Sequence, residues 1–525
     1  MKKIFKKLFS KSAFVALMIV LEILFISLML LVIDSVLELN GLTNHKTVYF
    51  IAFMIFRFVG ILIAIFVFLR VLNKNEDPEF KIPWIVLLLI TPLFGTIIYL
   101  FFGNHGLRKR DRVIVRATNN ACHNHFEIQD KQYKVIQKEL GDSLGVFNYL
   151  HNTSLLRPHS HNRVTYFRSG EEFFPDLIEC LKQAKQFIFI EFFIISEGKQ
   201  YNAVLDVLKQ KAKEGIDVRI IYDDFGCSGY LPANTPRKLA KFGIKCVRFA
   251  PLKPIISSIY NNRDHRKIVI IDHQYGYTGG INLADEYANI THPFKYWKDT
   301  MIKIEGSAIN NLLAIFLKNY DLCVWEVSNY NQYLDYEYPK FKESGYVMPF
   351  GDGPGGFDNA LIGEQNYINI INYARKTLYI STPYLIPTYP LINALRNASL
   401  RGVDVRIIVP GVPDKKLVYW LGQRHFHFLL SAGIKIYTYT PGFNHMKTCI
   451  ADGELAFVGT INMDFRSLVH HFECGATLYK NPCLKDIEED FNEMFKASDL
   501  VPKNFKLNVF KRAICSVLKI FTPLF

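Results

Sequence analysis

Residues 265–272 read His-Arg-Lys-Ile-Val-Ile-Ile-Asp, and residues 445–452 read His-Met-Lys-Thr-Cys-Ile-Ala-Asp. From each histidine, lysine follows at +2, aspartate at +7, glycine at +14 and asparagine at +17. The two sets are His265, Lys267, Asp272, Gly279, Asn282 and His445, Lys447, Asp452, Gly459, Asn462, 180 residues apart. A single such pattern arises by chance in a long chain. Two copies agreeing at five positions do not, because surface strands with incidental charges have no reason to fix all five.

The agreement continues upstream. Gly215-Ile216-Asp217-Val218-Arg219-Ile220-Ile221 matches Gly402-Val403-Asp404-Val405-Arg406-Ile407-Ile408, each a glycine helix stop followed by a β-branched strand. Phe242-Gly243-Ile244-Lys245 matches Ala432-Gly433-Ile434-Lys435, and the strand-like runs 187–195 and 377–386 lie earlier still. Both halves therefore read strand, helix, strand, helix, strand, then the histidine segment. The first half carries ten extra residues between Pro251 and His265 relative to Pro441–His445. The spacing predicts an α/β fold: two α/β/α sandwich repeats, 161–335 and 336–500, forming one pseudo-two-fold catalytic unit.

A chain of 525 residues exceeds one ordinary core. Its net charge of +14 favours an anionic partner, either nucleic acid or an acidic membrane surface. Three apolar runs, 12–34, 47–72 and 83–102, each about long enough to span a bilayer, define an N-terminal membrane region over 1–110. The first is too long for a signal sequence and reads as a retained anchor. Lys2, Lys3, Lys6, Lys7 and Lys11 before the first run, and Arg108, Lys109, Arg110, Arg112 and Arg116 after the third, both ask for the cytoplasmic side. Three full crossings cannot satisfy both. Thr91-Pro92-Leu93-Phe94-Gly95 interrupts the third run, which is therefore expected to be a re-entrant or shallow hairpin. The expectation is a multi-pass protein of the cell membrane with its large domain in the cytoplasm. Arg57 would face another helix or snorkel.

Residues 111–160 read as a connector. Over 501–525, Phe505, Val509, Phe510, Ile514, Val517, Leu518 and Phe521 recur at helical spacing among Lys506, Lys511, Arg512 and Lys519. Such a helix either lies on an anionic membrane or packs on its own domain. Nine cysteines, an odd number without a C-x-x-C pair, argue for reduced thiols rather than a disulfide scaffold. Cys122-His123-Asn124-His125 lacks a second ligand pair at zinc spacing and reads as a polar connector.

Alternate residues of a strand share a face, so His265 projects with Lys267 and His445 with Lys447. Brought together, two imidazoles, two ammonium groups and the amides of Asn282 and Asn462 suit a phosphodiester. Lysines and amides cradle its oxygens while one imidazole attacks phosphorus and the other protonates the leaving alkoxide. No paired carboxylates argue for a metal, and no cofactor is expected. A nucleophilic imidazole needs an acceptor on its other nitrogen. Asp299 is the candidate for His265 and Glu473 for His445, each standing at the head of a later strand-like stretch. Asp272 and Asp452 either join the chemistry or fix the turn after their strands.

These two segments make the chain resemble the phospholipase D superfamily. Pro83–Gly103, Tyr222-Asp223-Asp224-Phe225-Gly226, Asn262–Lys267, Gly279–Tyr287, Tyr296-Trp297-Lys298-Asp299-Thr300 and Ser381-Thr382-Pro383-Tyr384-Leu385-Ile386-Pro387 narrow the resemblance to bacterial cardiolipin synthases over nearly the full length. The resemblance implies transfer of a phosphatidyl group between two phosphatidylglycerol molecules, giving cardiolipin and glycerol without a metal. It implies His265 as nucleophile, passing through phosphohistidine, and His445 as acid and base. It also implies phosphatidylglycerol and anionic membrane lipids as partners, rather than nucleic acid. A membrane-bound phospholipase D that hydrolyses phospholipids to phosphatidic acid would share every catalytic residue. A nuclease would fit the charge but gives the membrane region no purpose, and a scaffold would be expected to lose a histidine or lysine.

Overall fold

Two units divide the chain: a helical one of the first 105 residues joined by residues 517–520, and a large one that begins at Gly106 and ends at Ser516. The computed structural model describes residues 44–76, 78–103, 107–251, 262–354 and 360–520. In the helical unit, α1 (Asn44–Leu72) precedes α2 (Pro78–Ile90) and α3 (Pro92–Phe102). Pro92 has no N–H to continue the helix that ends at Ile90, so it opens a new one. The rings of Trp84 and Tyr99 meet edge to face at 5.3 Å. One straight helix would separate these residues by about 22 Å, so the third apolar run is a helical hairpin, as its proline and glycine predict. Counted over the described residues, no helix is long and apolar enough to cross a membrane. The first apolar run, 12–34, lies outside them.

The large unit opens with α4 (Lys109–Phe126), α5 (Asp130–Leu140) and α6 (Leu144–Ser154). This connector is not a loose tether: Cys122, Phe126, Leu140, Phe147 and Leu150 are buried in the main core. Of the Cys-His-Asn-His run, the Cys122 thiol donates to Asn119 O, and His123 and His125 pair with Glu127 and with Asn331 and Asp335. Strand β1 (His159–Ser160) follows.

The first repeat runs β2 (Arg163–Phe167), α7 (Gly170–Lys182), β3 (Phe187–Phe192), α8 (Lys199–Lys213), β4 (Asp217–Asp223), α9 (Thr235–Ala240) and β5 (Lys245–Phe249). Then come β6 (Lys267–Ile271), β7 (Tyr275–Gly279), β8 (Tyr296–Lys298) and β9 (Met301–Glu305). Helices α10 (Ile309–Val324) and α11 (Tyr330–Leu334) lead to the second repeat. It runs β10 (Tyr346–Asp352), α12 (Ile362–Tyr373), β11 (Thr377–Ser381), α13 (Tyr389–Leu400), β12 (Asp404–Pro410), α14 (Lys416–Leu430) and β13 (Lys435–Tyr439). It closes with β14 (Gly442–Asn444), β15 (Thr448–Ala451), β16 (Leu455–Gly459), β17 (Glu473–Tyr479), α15 (Leu484–Lys496) and β18 (Ser498–Leu500).

The first sheet has the order β2-β9-β7-β6-β3-β4-β5. The second has β10-β17-β16-β15-β11-β12-β13 with β1 and β18 on its edges, the same topology. Gly215 and Gly402 end α8 and α13 at φ 88° and 96°, the left-handed conformation glycine adopts without strain. Phe-Ile-Phe-Ile-Glu-Phe of β3 is buried at all six positions, as a central strand covered on both faces requires.

Helix α10 joins the halves. The Phe316 ring stacks on Phe189 of the first sheet at 4.9 Å, and one continuous core holds α10 with residues of both sheets. The second half thus cannot part from the first without exposing that core. After β18, α16 (Val509–Ile520) follows. Phe505 packs on Phe426, Lys511 lies over the Trp420 ring, and Arg424 donates to Ser516 Oγ, so this segment docks on α14. Val509 and Phe510 remain exposed. The extra residues of the first half, 252–261, lie outside the described set.

Candidate active site

Strand β6 begins at Lys267 and β15 just after Lys447, so His265 stands two residues and His445 three residues before the start of a central strand. All four side chains are buried. What fixes the histidines is backbone pairing between the halves. His265 N donates to Phe472 O at 2.8 Å and Phe472 N to Arg263 O at 2.7 Å. His445 N donates to Lys298 O at 2.7 Å, beside the parallel pairing of β8 with β14.

This pairing crosses the carboxylates. His265 Nδ1 lies 3.0 and 2.9 Å from the two oxygens of Glu473, and His445 Nδ1 lies 2.6 Å from Asp299 Oδ2. The sequence expectation, Asp299 for His265 and Glu473 for His445, is thus reversed. The residues just before each carboxylate form β-bridges with the other half's histidine segment, so each half delivers its acid across the interface. Arg266 reinforces the crossing by donating to Glu473 O at 3.1 Å and Asp352 O at 3.1 Å.

The two acids are held differently. Glu473 accepts hydrogen bonds from Ser467 Oγ and Thr460 Oγ1. Asp299 accepts from Thr300 N at 2.8 Å and lies 3.8 Å from Lys447 Nζ. A Cβ at Gly280 would sit 2.0 Å from Asp299 Oδ1. Thr460 occupies the corresponding position of the second half, so one half leaves room for its acid where the other bonds to it.

Burial dominates the electrostatics. It holds both imidazoles well below their ordinary value, helped at His265 by Lys267, Lys447 and His445, and at His445 by Lys447 and Lys267. These mutual influences place both histidine–lysine pairs in one electrostatic field. Burial lowers Lys267 to about 8 and Lys447 to about 7, against the pull of Glu473 and Asp299. It raises the Asp299 carboxyl to about 6, although Lys447 and the Thr300 amide oppose the shift. The site is a buried cationic pocket with two neutral imidazoles.

Asp272 and Asp452 do not belong to it. Each sits in the left-handed region, at φ 51° and 54°, in the turn after its strand. Asp272 accepts from the amides of Lys185, Gln186 and Phe187, each at 2.8 Å. Asp452 accepts from those of Arg375, Lys376 and Thr377 at 2.7–2.8 Å. These aspartates tie the motif strand to the start of β3 or β11, about 16 Å along the strand from the lysine. Their catalytic candidacy is corrected to a structural one. Asn282 accepts from Ile194 N and donates to Tyr287 Oη, whereas Asn462 Oδ1 is buried without a hydrogen-bond partner.

Residues with no repeat signal complete the walls. Phe193 and His471 flank His265 at 4.9 and 5.5 Å between ring centroids, and Trp297 and Tyr287 flank His445 at 5.5 and 5.7 Å. His265, His471 and Glu473 offer ligand atoms within 4.8 Å of one another, a set able to hold a metal ion; Glu473 already accepts three side-chain donors.

Twin α/β repeats, with two histidine–lysine pairs and crossed carboxylates at their interface, define a phospholipase D-like enzyme. The family model described as cardiolipin synthase, PLD-like domain, matches residues 177–314 and 367–495, and the one described as phospholipase D-nuclease N-terminal matches 61–104. A cardiolipin synthase 2 of Bacillus anthracis is 32% identical over 86% of this chain and 88% of its own length. A cardiolipin synthase of Halalkalibacterium halodurans is 33% identical over 82% and 85%. An uncharacterized protein of Streptococcus mutans is 38% identical over 87% and 99%. The crystal structure of phosphatidylserine synthase from Haemophilus influenzae shares the fold, at TM-score 0.53 and 16% identity over 73% of this chain and 98% of that one. The chain belongs to the cardiolipin synthase family of phosphatidyltransferases.

Proposed function

We propose that this enzyme transfers a phosphatidyl group from one phosphatidylglycerol to the terminal hydroxyl of another, releasing glycerol. The observation that carries the reading is the crossed pairing, which points two buried, neutral imidazoles into one pocket with two lysines. In the first step His265 Nε2 attacks phosphorus. The bond from phosphorus to the glycerol oxygen breaks, and His445 gives that oxygen its proton. In the second step the acceptor hydroxyl loses its proton to His445, its oxygen bonds phosphorus, and the phosphorus–nitrogen bond breaks. Lys267 and Lys447 balance the charge of the nonbridging oxygens, and an arriving phosphate raises their proton affinity.

The assignment of roles rests on an asymmetry. His265 Nδ1 has only carboxylate oxygens beside it, so it keeps a proton there and leaves Nε2 free to attack. His445 Nδ1 lies closer to its acid, 2.6 Å from Asp299 Oδ2; with a phosphate bound, that carboxylate holds a proton on Nδ1 and favours the imidazolium, whose Nε2–H a leaving oxygen needs. Asn282 and Asn462 support the pocket from the matching turns of the two halves.

Purified enzyme given phosphatidylglycerol in mixed micelles should release glycerol and cardiolipin in equal amounts. Phosphatidic acid as the sole lipid product would instead identify a hydrolytic phospholipase D.

The membrane reading is part of this proposal. Ile55, Phe58 and Phe66 of α1, and Leu89, Ile90 and Leu100 of the hairpin, are large apolar side chains left exposed, as lipid-facing surfaces are. The lysines before the first apolar run, the basic residues 108–116 after the third and a hairpin that re-enters rather than crosses support a catalytic unit on the cytoplasmic side. Fluorescent-protein fusions ending at Lys74 and at His105 should then both be fluorescent. A dark fusion at His105 beside a bright one at Lys74 would make the hairpin a crossing.

A further inference from the structure

Matching the two halves outward from their asparagines sets Arg466 against Glu286, since each lies four residues beyond Asn462 or Asn282. Matching them backward from the crossed carboxylates sets His471 against Trp297. Ring geometry supports the second match: His471 and Trp297 each lie 5.5 Å from the histidine they flank. At these matched positions one half carries an aromatic and an acid, the other an imidazole and a guanidinium. The pseudo-symmetry needed for two equivalent histidines does not explain this difference.

The second half's groups are also poorly satisfied by the protein. Both ring nitrogens of His471 are buried without a hydrogen-bond partner, and its nearest carboxylate oxygen, on Glu473, is 3.5 Å away. Arg466 is half-buried, and among the described residues no carboxylate lies within ion-pair distance of it. The charges that reach it are those of Asp464, Arg263 and Asp223. Asp464 accepts Ser467 N, and Asp223 accepts the amides of Phe225, Gly226 and Asp264 beside Arg263. Lys415 is exposed, 3.8 Å from Asp414 and 5.2 Å from the centre of the Tyr384 ring, and its charge is felt at His265, His445 and Asp464. A guanidinium taken out of water with no anion against it is costly to the fold unless a ligand supplies one.

We infer that Arg466, His471 and Lys415 form a second anion subsite, beside the twin histidines, that holds the phosphate which does not react. This rests on the transfer reading above. The acceptor there carries a phosphate of its own, three carbons from the attacking hydroxyl, so two lipid phosphates must be held together in one cationic pocket. The dyad and its lysines hold the one under attack. The subsite holds the other, which orients the acceptor hydroxyl and favours a phosphorylated glycerol over water. Asn462 Oδ1, an orphan acceptor in the same turn, suits a hydroxyl of that glycerol.

The test uses full-length enzyme, phosphatidylglycerol as donor, and two soluble labelled acceptors differing only in the phosphate: glycerol and glycerol phosphate. In wild type, KM for glycerol phosphate should lie about tenfold or more below that for glycerol, the scale of one charge-assisted hydrogen bond. Arg466→Gln should close most of that gap, and Arg466→Lys should restore part of it. A wild-type enzyme that takes both acceptors with equal KM overturns the subsite, as does an Arg466→Gln variant that weakens both by the same factor. An enzyme that transfers to neither and forms only phosphatidic acid overturns the transfer reading, and the subsite with it.

Discussion

His265 takes its carboxylate partner from the other half of the chain: Glu473 Oε2 lies 2.9 Å from its Nδ1. The acid fixes the tautomer and steadies the imidazolium character that develops as Nε2 attacks. Glu473→Gln should therefore lower kcat by about 10²-fold or more, on the scale seen when a histidine loses its orienting acid. Thr460→Val and Ser467→Ala, which only strip donors from Glu473, should cost less, about tenfold. Rates of phosphoenzyme formation in a rapid quench check both.

The pH profile of kcat/KM should be a narrow bell. Asp299, raised to about 6, is ionised above that pH and protonated below it, so the anchor of His445 is lost as pH falls through about 6. Lys447 and Lys267, lowered to about 7 and 8, are charged below those values, so phosphate capture is lost as pH rises through about 7–8. Asp299→Asn should abolish the acid limb along with most of the activity. A plateau extending beyond pH 9 would contradict this account of the lysines.

Gly280→Ala should damage catalysis without an equal loss of stability, because its Cβ would meet the Asp299 carboxylate at 2.0 Å. The acid must move, and with it His445, at about 10²-fold in kcat. Gly145→Ala is the control. It sits exposed in α6 with nothing near its Cβ, and should gain about 0.5–1 kcal/mol in unfolding experiments.

Asp452→Ala should do the opposite of Gly280→Ala. It leaves the amides of Arg375, Lys376 and Thr377 without their acceptor, at about 1–3 kcal/mol of stability. Turnover measured well below the new melting temperature should stay within a few-fold of wild type. A loss on the scale of Glu473→Gln would return Asp452 to the chemistry.

The duplication made much of this legible. Five matched positions in two copies identified the histidines and lysines, and the paired glycine–strand signals at Gly215 and Gly402 gave both sheets. The hairpin could be read from Thr91-Pro92. The crossed pairing could not: Glu473 and Asp299 occupy matching places in their own halves, and only the β8–β14 ladder and the bridge of Asp264 to Phe472 decide which histidine each reaches. Asp272 and Asp452 misled because spacing shows that a residue is required, not whether its partner is a substrate or three backbone amides. Arg466 and His471 carried no signal because they are where the two halves differ.

Trapping the intermediate tests the central claim most directly. Enzyme quenched during turnover of phosphatidylglycerol labelled at phosphorus should carry the label on His265, lose it in His265→Ala, and accumulate it in His445→Ala if leaving-group departure outlasts the loss of the acid. Label on His445, or an equal share on both histidines, would contradict the assignment and the asymmetry of Nδ1 contacts on which it stands.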